Sequence, residues 1–354
     1  MTKRQTTVLG CTALLVVSGL GASAPAHASV THQVRPGQSI QAAVNAAQPG
    51  DTINIAAGTY KESVRITKPR LTLQGAGART VIKPAAKPAK TDSCAAAGNG
   101  ICVLGTKVQP LEKVRIRSLR LSGFAKNGIW AAWTDRLTVR HVTSEDNGTW
   151  GIAQERSTRS ELQQNVVRRN GDAGIFVANT VSEEAGATDT KGTVVSGNIM
   201  SGNRIGATVR RVRNLTLQGN EITRNCAGAF LVGDETVPRA GALTVRFNHI
   251  YKNNKHCDAT ARLPEIQGTG IVLTGTEDTL VEANLVRDHV GSAPMSGGIV
   301  LFKSIVGAAG TDNVIRHNLV TGNSKADLAN RDTKGTGNIF AENMCRASEP
   351  AGLC

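Results

Sequence analysis

The chain has 354 residues, 40% of them hydrophobic and only 3% aromatic, and its 41 Lys and Arg against 27 Asp and Glu give a formal net charge of +14. No run after Leu20 approaches the roughly 20 apolar residues of a membrane-spanning helix. Three Trp, two Tyr and six Phe offer few platforms for stacking bases, which argues against nucleic acid as a partner.

Met1-Thr2-Lys3-Arg4 is short and basic, the stretch from Cys11 to Leu20 is apolar but too short to span a bilayer, and Ala26-His27-Ala28 offers small residues where a signal peptidase reads. The expectation is a signal peptide over 1–28, cleavage before Ser29, and a secreted, extracellular domain over 29–354 without membrane insertion. Loss of Lys3 and Arg4 lowers the charge from +14 to +12. A field of that sign attracts extracellular polyanions such as uronate or sulfated polysaccharides, and it also serves solubility.

Ser39 to Gln48 reads as a short helix, with Ser39 as N-cap and Pro49-Gly50 as its stop, placed to cover the first coil of whatever follows. Residues 85 to 100, rich in Ala, Lys and Pro, and 180 to 193 read as loops. Cys94, Cys102, Cys226, Cys257, Cys345 and Cys354 follow the leader, and an even number in an exported chain points to disulfides. Six cysteines allow fifteen pairings. Loop closure favours the local set, Cys94 with Cys102, Cys226 with Cys257 and Cys345 with Cys354, while zinc lacks its C-x-x-C and histidine pairs.

From 114 to 344 one phrase repeats: an alternating apolar strand, a polar turn with asparagine, then Gly-Ile or Gly-Ala opening another strand. Asn165-Val-Val-Arg-Arg-Asn170, Asn198-Ile-Met-Ser-Gly-Asn203, Asn220-Glu-Ile-Thr-Arg-Asn225, Asn248-His-Ile-Tyr-Lys-Asn253 and Asn318-Leu-Val-Thr-Gly-Asn323 place two asparagines five apart, and His289 stands where the series calls for the second asparagine. Minimal periods of 20 to 23 residues with three short β-prone runs apiece exclude a helical repeat. Stacked coils bury a shared aliphatic core that a single coil cannot. Asparagine suits such turns because it tolerates left-handed backbone and its amide can bond up and down a ladder. The architecture expected is an all-β solenoid of about ten coils with an N-terminal capping helix.

Ser39-Ile-Gln-Ala-Ala, Gly50-Asp-Thr-Ile-Asn-Ile-Ala-Ala-Gly-Thr-Tyr60, Glu62-Ser-Val-Arg-Ile and Leu71-Thr-Leu-Gln-Gly75 resemble the opening of the pectate-lyase-like superfamily of single-stranded right-handed parallel β-helices. The later asparagine and Gly-Ile repeats resemble its carbohydrate-binding and sugar-hydrolase repeat domain. The resemblance, covering about 33 to 344, implies the fold; the superfamily's lyases, glycosidases, esterases, epimerases and binding proteins leave the chemistry open.

A lyase of this kind uses an Arg or Lys of lowered pKa to take the proton beside a uronate carboxylate. Lys252, His256, Arg262, Arg287, His289 and Lys303 lie in or beside two insertions, 253 to 270 and 289 to 298, which interrupt adjacent coils at one turn; they are the candidate catalytic set. A glycosidase needs placed carboxylates. Glu145, Asp146, Asp172, Asp258, Glu265 and Asp288 are present but form no close Asp-Asp pair, and the Asp-Pro-His-Asp motif of alginate epimerases is absent. Trp130 and Trp150, on successive coils, are candidate sugar platforms, whereas Trp133 reads as packing. The expectation is a monomer that binds an anionic polysaccharide or degrades it as a lyase, with glycoside hydrolysis as the other enzymatic reading and a noncatalytic binding or surface protein as the alternative. No transition metal or other cofactor is expected; calcium stays open.

Overall fold

The computed structural model describes Thr2 and residues 28–87, 93–261 and 263–354. Apart from Thr2 and Ala28, the leader reading falls outside these residues, as does Arg262. Three long parallel sheets run the length of the chain. Sheet I has twelve strands, from Thr31–Val34 to Ile339–Ala341; sheet II has ten, from Gly58–Lys61 to Leu319–Thr321; sheet III has eleven, from Val64–Ile66 to Ser348–Glu349. Each coil between the two terminal ones gives one short strand to each sheet, so the chain winds I, II, III and repeats.

The strands alternate because one side chain in two enters the core. In sheet I, Ile116, Val139 and Leu162 stack in register on successive coils and are fully buried, flanked by solvent-facing residues. Burying each such side chain is worth about 1.5–3 kcal/mol, and the continuous column supplies what no single coil could.

The turns between sheets I and II, and II and III, carry the asparagine ladders. Asn198 Oδ1 accepts both the backbone N–H of Asn165 (3.0 Å) and its Nδ2–H (2.9 Å), while Asn198 Nδ2 donates to Leu162 O (2.8 Å). The left-handed residue is not the asparagine but the one before it: Gln164, Arg169, Arg224, Phe247 and Lys252 all have φ between 49° and 58°. That conformation turns the chain so that the following amide points inward along the stack.

The capping helix spans Ile40–Ala46, with Ser39 as its N-cap as the sequence suggests and its C-terminal end two residues short of Gln48. Ser39 Oγ caps Ala42 N (3.1 Å), and Glu62 from the coil beneath accepts from Ile40 N (2.8 Å) and Gln41 N (3.0 Å). A carboxylate on free N–H groups suits the positive end of a helix. Ile40 and Val44 close the open end of the core. Disulfides join Cys94 to Cys102, Cys226 to Cys257 and Cys345 to Cys354.

Candidate functional site

Sheet III is covered on its outer side. Phe176, Phe230, Val272 and Val300 point away from the solenoid core yet are buried in a second apolar cluster with Ile266, Met295 and Cys257, supplied by the insertions. Trp150 is sandwiched in this layer, its ring 5.9 Å from that of Trp130 and 4.2 Å from that of Phe176, and its Nε1–H donates to Asp172 Oδ2 at 2.9 Å. Burial pushes the Asp172 carboxyl up, against the pull of that bond. The two tryptophans are thus half-buried members of an apolar stack. Trp133 lies under the Arg156 guanidinium, 5.0 Å from its ring centre.

The five described basic candidates do not assemble. His289 is fully buried: its Nδ1 accepts the Asn253 backbone N–H at 3.2 Å, in the place of a ladder asparagine, and burial lowers its pKa to about 3. It faces no solvent and can serve no substrate. Lys303 follows the strand Gly297–Phe302 and so sits at the far edge of sheet III from the turn that holds Lys252. His256, half-exposed in the insertion, lies 3.7 Å from Asp258 and 3.6 Å from Glu265. Among the described candidates, Lys252 and Arg287 are neighbours, through Lys252 N–H donating to Arg287 O at 3.2 Å. The insertions roof sheet III, because their apolar residues bury there.

Arg287 belongs to a different constellation, on the outer face of sheet II. Strands Glu221–Thr223, His249–Tyr251 and Leu285–Arg287 lie side by side, with Glu221 opposite His249 and Tyr251 opposite Arg287. The His249 and Tyr251 rings stack at 4.3 Å, Arg287 Nε–H donates to His249 Nε2 at 3.3 Å, and the guanidinium lies 5.2 Å from the Tyr251 ring centre. The Tyr251 hydroxyl donates to Glu221 Oε1 at 2.7 Å. Burial and the Arg287 charge lower the His249 pKa, so the imidazole is neutral at pH 7; the bond to Glu221, with burial, raises that of Tyr251. A neutral imidazole, a protonated phenol and a fixed cation side by side can accept a proton, donate one and hold an anion. The sequence reading missed His249 and Tyr251, though their i, i+2 spacing on a strand places both outward.

A second cationic feature lies on sheet I. Lys113, Arg115, Arg117, Arg136, Arg140 and Arg159 line a groove of about 570 Å³ with Glu161 as its one acid. The alternation Lys113-Val-Arg-Ile-Arg117 was the available signal.

The family described as "Right handed beta helix region" matches residues 186–347 and that of "Periplasmic copper-binding protein (NosD)" matches 94–257. The A-module of a mannuronan C-5 epimerase from Azotobacter vinelandii superposes with TM-score 0.60 at 18% identity, covering 88% of this chain and 91% of that one. This is a right-handed parallel β-helix protein. The DFA-IIIase of Arthrobacter chlorophenolicus A6 gives TM-score 0.58 at 12% identity over 90% of this β-helix and 98% of its own chain, and a periplasmic alginate epimerase gives 0.55 at 13% over 89% and 76%. Such identities carry the fold alone. No curated protein matches by sequence. The copper in the second family's description does not fit the residues present: all six described cysteines are in disulfides, and among the described residues no three His, Cys, Asp or Glu side chains gather to hold a metal ion.

Proposed function

We propose that this β-helix acts outside the cytoplasm on an acidic polysaccharide, as a lyase whose chemistry is carried by His249, Tyr251 and Arg287. The observation behind the proposal is the contact between a neutral imidazole and a guanidinium on an outward sheet face. Arg287 holds the uronate carboxylate and stabilises the charge that develops as the neighbouring C–H is broken. As the guanidinium turns onto the carboxylate it frees His249 Nε2, which takes that proton; the electron pair forms the ring double bond, and the glycosidic C–O bond breaks. Tyr251 protonates the departing oxygen and is restored from solvent. Three disulfides, the basic chain and neighbours described as periplasmic or as polysaccharide epimerases support the compartment and the substrate class.

The test is to incubate the protein with a panel of uronate polysaccharides, with and without calcium, following absorbance of the unsaturated product together with reducing ends. Rising absorbance that disappears in His249→Ala supports the lyase. Reducing ends without absorbance mean a hydrolase. Binding without either product supports a noncatalytic module, a reading favoured by one observation: Arg287 already pairs with Asp288 at 2.6 Å.

A further inference from the structure

We infer that the groove on sheet I is a separate binding site for a linear acidic polysaccharide, laid along the solenoid axis across three coils. The site shares its ligand class with the preceding reading but needs none of its chemistry. Lys113, Arg136 and Arg159 occupy the turn that leads into sheet I on three successive coils, and Arg115, Arg117 and Arg140 project from the strands beside them.

The fold does not ask for cations there. Lys113, Arg136 and Arg159 have φ of 54°, 55° and 51°, a backbone conformation that disfavours a branched or long side chain and suits glycine or asparagine. Later coils put Gly192, Asn214 and Gly337 at the same turn, with φ of 87°, 55° and 68°, and Asp278 and Asp312 follow the same left-handed pattern. The outward strand row behaves likewise: Arg115 is followed in register by Thr138, Glu161, Val194 and Thr216. Further along this face the outward Arg246 and Arg316 are engaged by Gln218 and Glu282, whereas the groove gathers six cations against one acid, a density that general solubility does not account for.

Internal neutralisation is partial. Asp135 pairs with Arg136 (3.0 Å) and Arg159 (2.7 Å), whereas no ion pair is formed by Lys113, Arg115 or Arg117 among the described residues. Adjacent coils are about 4.8 Å apart, so the turn presents a cation at each step to a chain carrying closely spaced anions. The groove is lined by no aromatic side chain, which removes the stacking that single-stranded nucleic acid uses and leaves carboxylate or sulfate recognition.

The experiment is equilibrium binding of the full chain to heparin and to polygalacturonate over a range of salt. The test variant is Lys113→Gly/Arg115→Thr/Arg117→Gln, which imports residue types already present at the equivalent turns and rows and leaves Asp135 its partners. Its thermal unfolding is expected to match the wild type. Its affinity for the glycans is expected to fall roughly tenfold, three screened contacts of modest size, with a shallower salt dependence. Ala242→Gly, on the same turn outside the groove, is the control and binds as wild type. Undiminished affinity in the triple variant overturns the inference, as does a wild type that binds neither glycan or binds single-stranded DNA equally well. Groove-dependent binding with no product released would sink the catalytic reading and leave this one standing.

Discussion

His289 takes the place of an asparagine in the turn between sheets II and III, its Nδ1 receiving the Asn253 backbone N–H at 3.2 Å while the His289 backbone N–H donates to Asn323 Oδ1 at 3.1 Å. Because Nδ1 accepts, the ring is neutral with its proton on Nε2. Burial lowers the pKa from 6.5 to about 3, so as pH falls below 6.5 the unfolded chain takes up a proton that the folded one refuses. This contribution is complete above 6.5 and is lost progressively towards 3, amounting to about 2 kcal/mol by pH 5. Urea unfolding of His289→Asn at pH 7 and pH 5 is expected to lack that acid-dependent loss; an unchanged loss would show that other groups cause it.

Turnover on the sheet II face is expected to follow His249. Its lowered pKa puts the acidic limb of the pH–rate profile below the ordinary histidine value, and the raised phenol of Tyr251 keeps the alkaline limb beyond the usual tyrosine range. His249→Gln should remove the acidic limb and cost about 10²–10⁴ in rate, the size of a general-base contribution. A profile unaffected by that substitution would place the base elsewhere.

Asn220 accepts Asn198 N–H (3.0 Å) and Nδ2–H (2.9 Å) and donates to Val195 O (3.0 Å) and Asn248 Oδ1 (2.9 Å), all buried. Asn220→Ala takes a buried hydrogen bond from each of these groups and the side-chain acceptor from the Asn198 backbone N–H, and should cost about 2–4 kcal/mol, read as a lower urea midpoint. A cost near that of a surface substitution would mean that the ladder is ornamental.

Glu145 is fully buried among the more exposed Arg120, Arg168 and Arg169, with Arg168 Nε at 2.7 Å and Arg169 Nη2 at 3.0 Å. Burial alone would raise its pKa, but the guanidiniums prevail and hold it below the ordinary carboxylate value, so the stability it brings is present at neutral pH and fades as pH falls through that lowered value. Glu145→Gln should destabilise by about 2 kcal/mol, less than for a fully buried pair because the arginines touch solvent. Thermal unfolding at pH 7 gives the comparison.

The solenoid was legible because its period is written in side chains: two asparagines five apart, β-prone runs between them, and Ser39 before a helix that plugs one end. The candidate site was less so. Sequence distance placed Lys252, His256 and Lys303 in one neighbourhood, but a coil spends its residues going around the stack, so neighbours in sequence end on different faces. Contacts instead join residues one period apart, as Tyr251 joins Arg287, and finding them requires aligning the coils rather than reading along the chain. The roof over sheet III was hidden for a related reason: Ile266 and Met295 sit in segments whose glycine and alanine content reads as loop.

Each ladder asparagine reaches only the coil before it and the coil after it, as Asn165 reaches Val139 and Asn198. Mechanically the protein is therefore a stack of rings fastened neighbour to neighbour, in which damage is local and length is modular. Excising one period, such as Ile199 to Asn220, would bring Asn198 to Glu221 with every column still in phase and yield a shorter rod of the same cross-section. Fraying would begin at the terminal rings, where the capping helix and the Cys345–Cys354 bond act as the two end clamps.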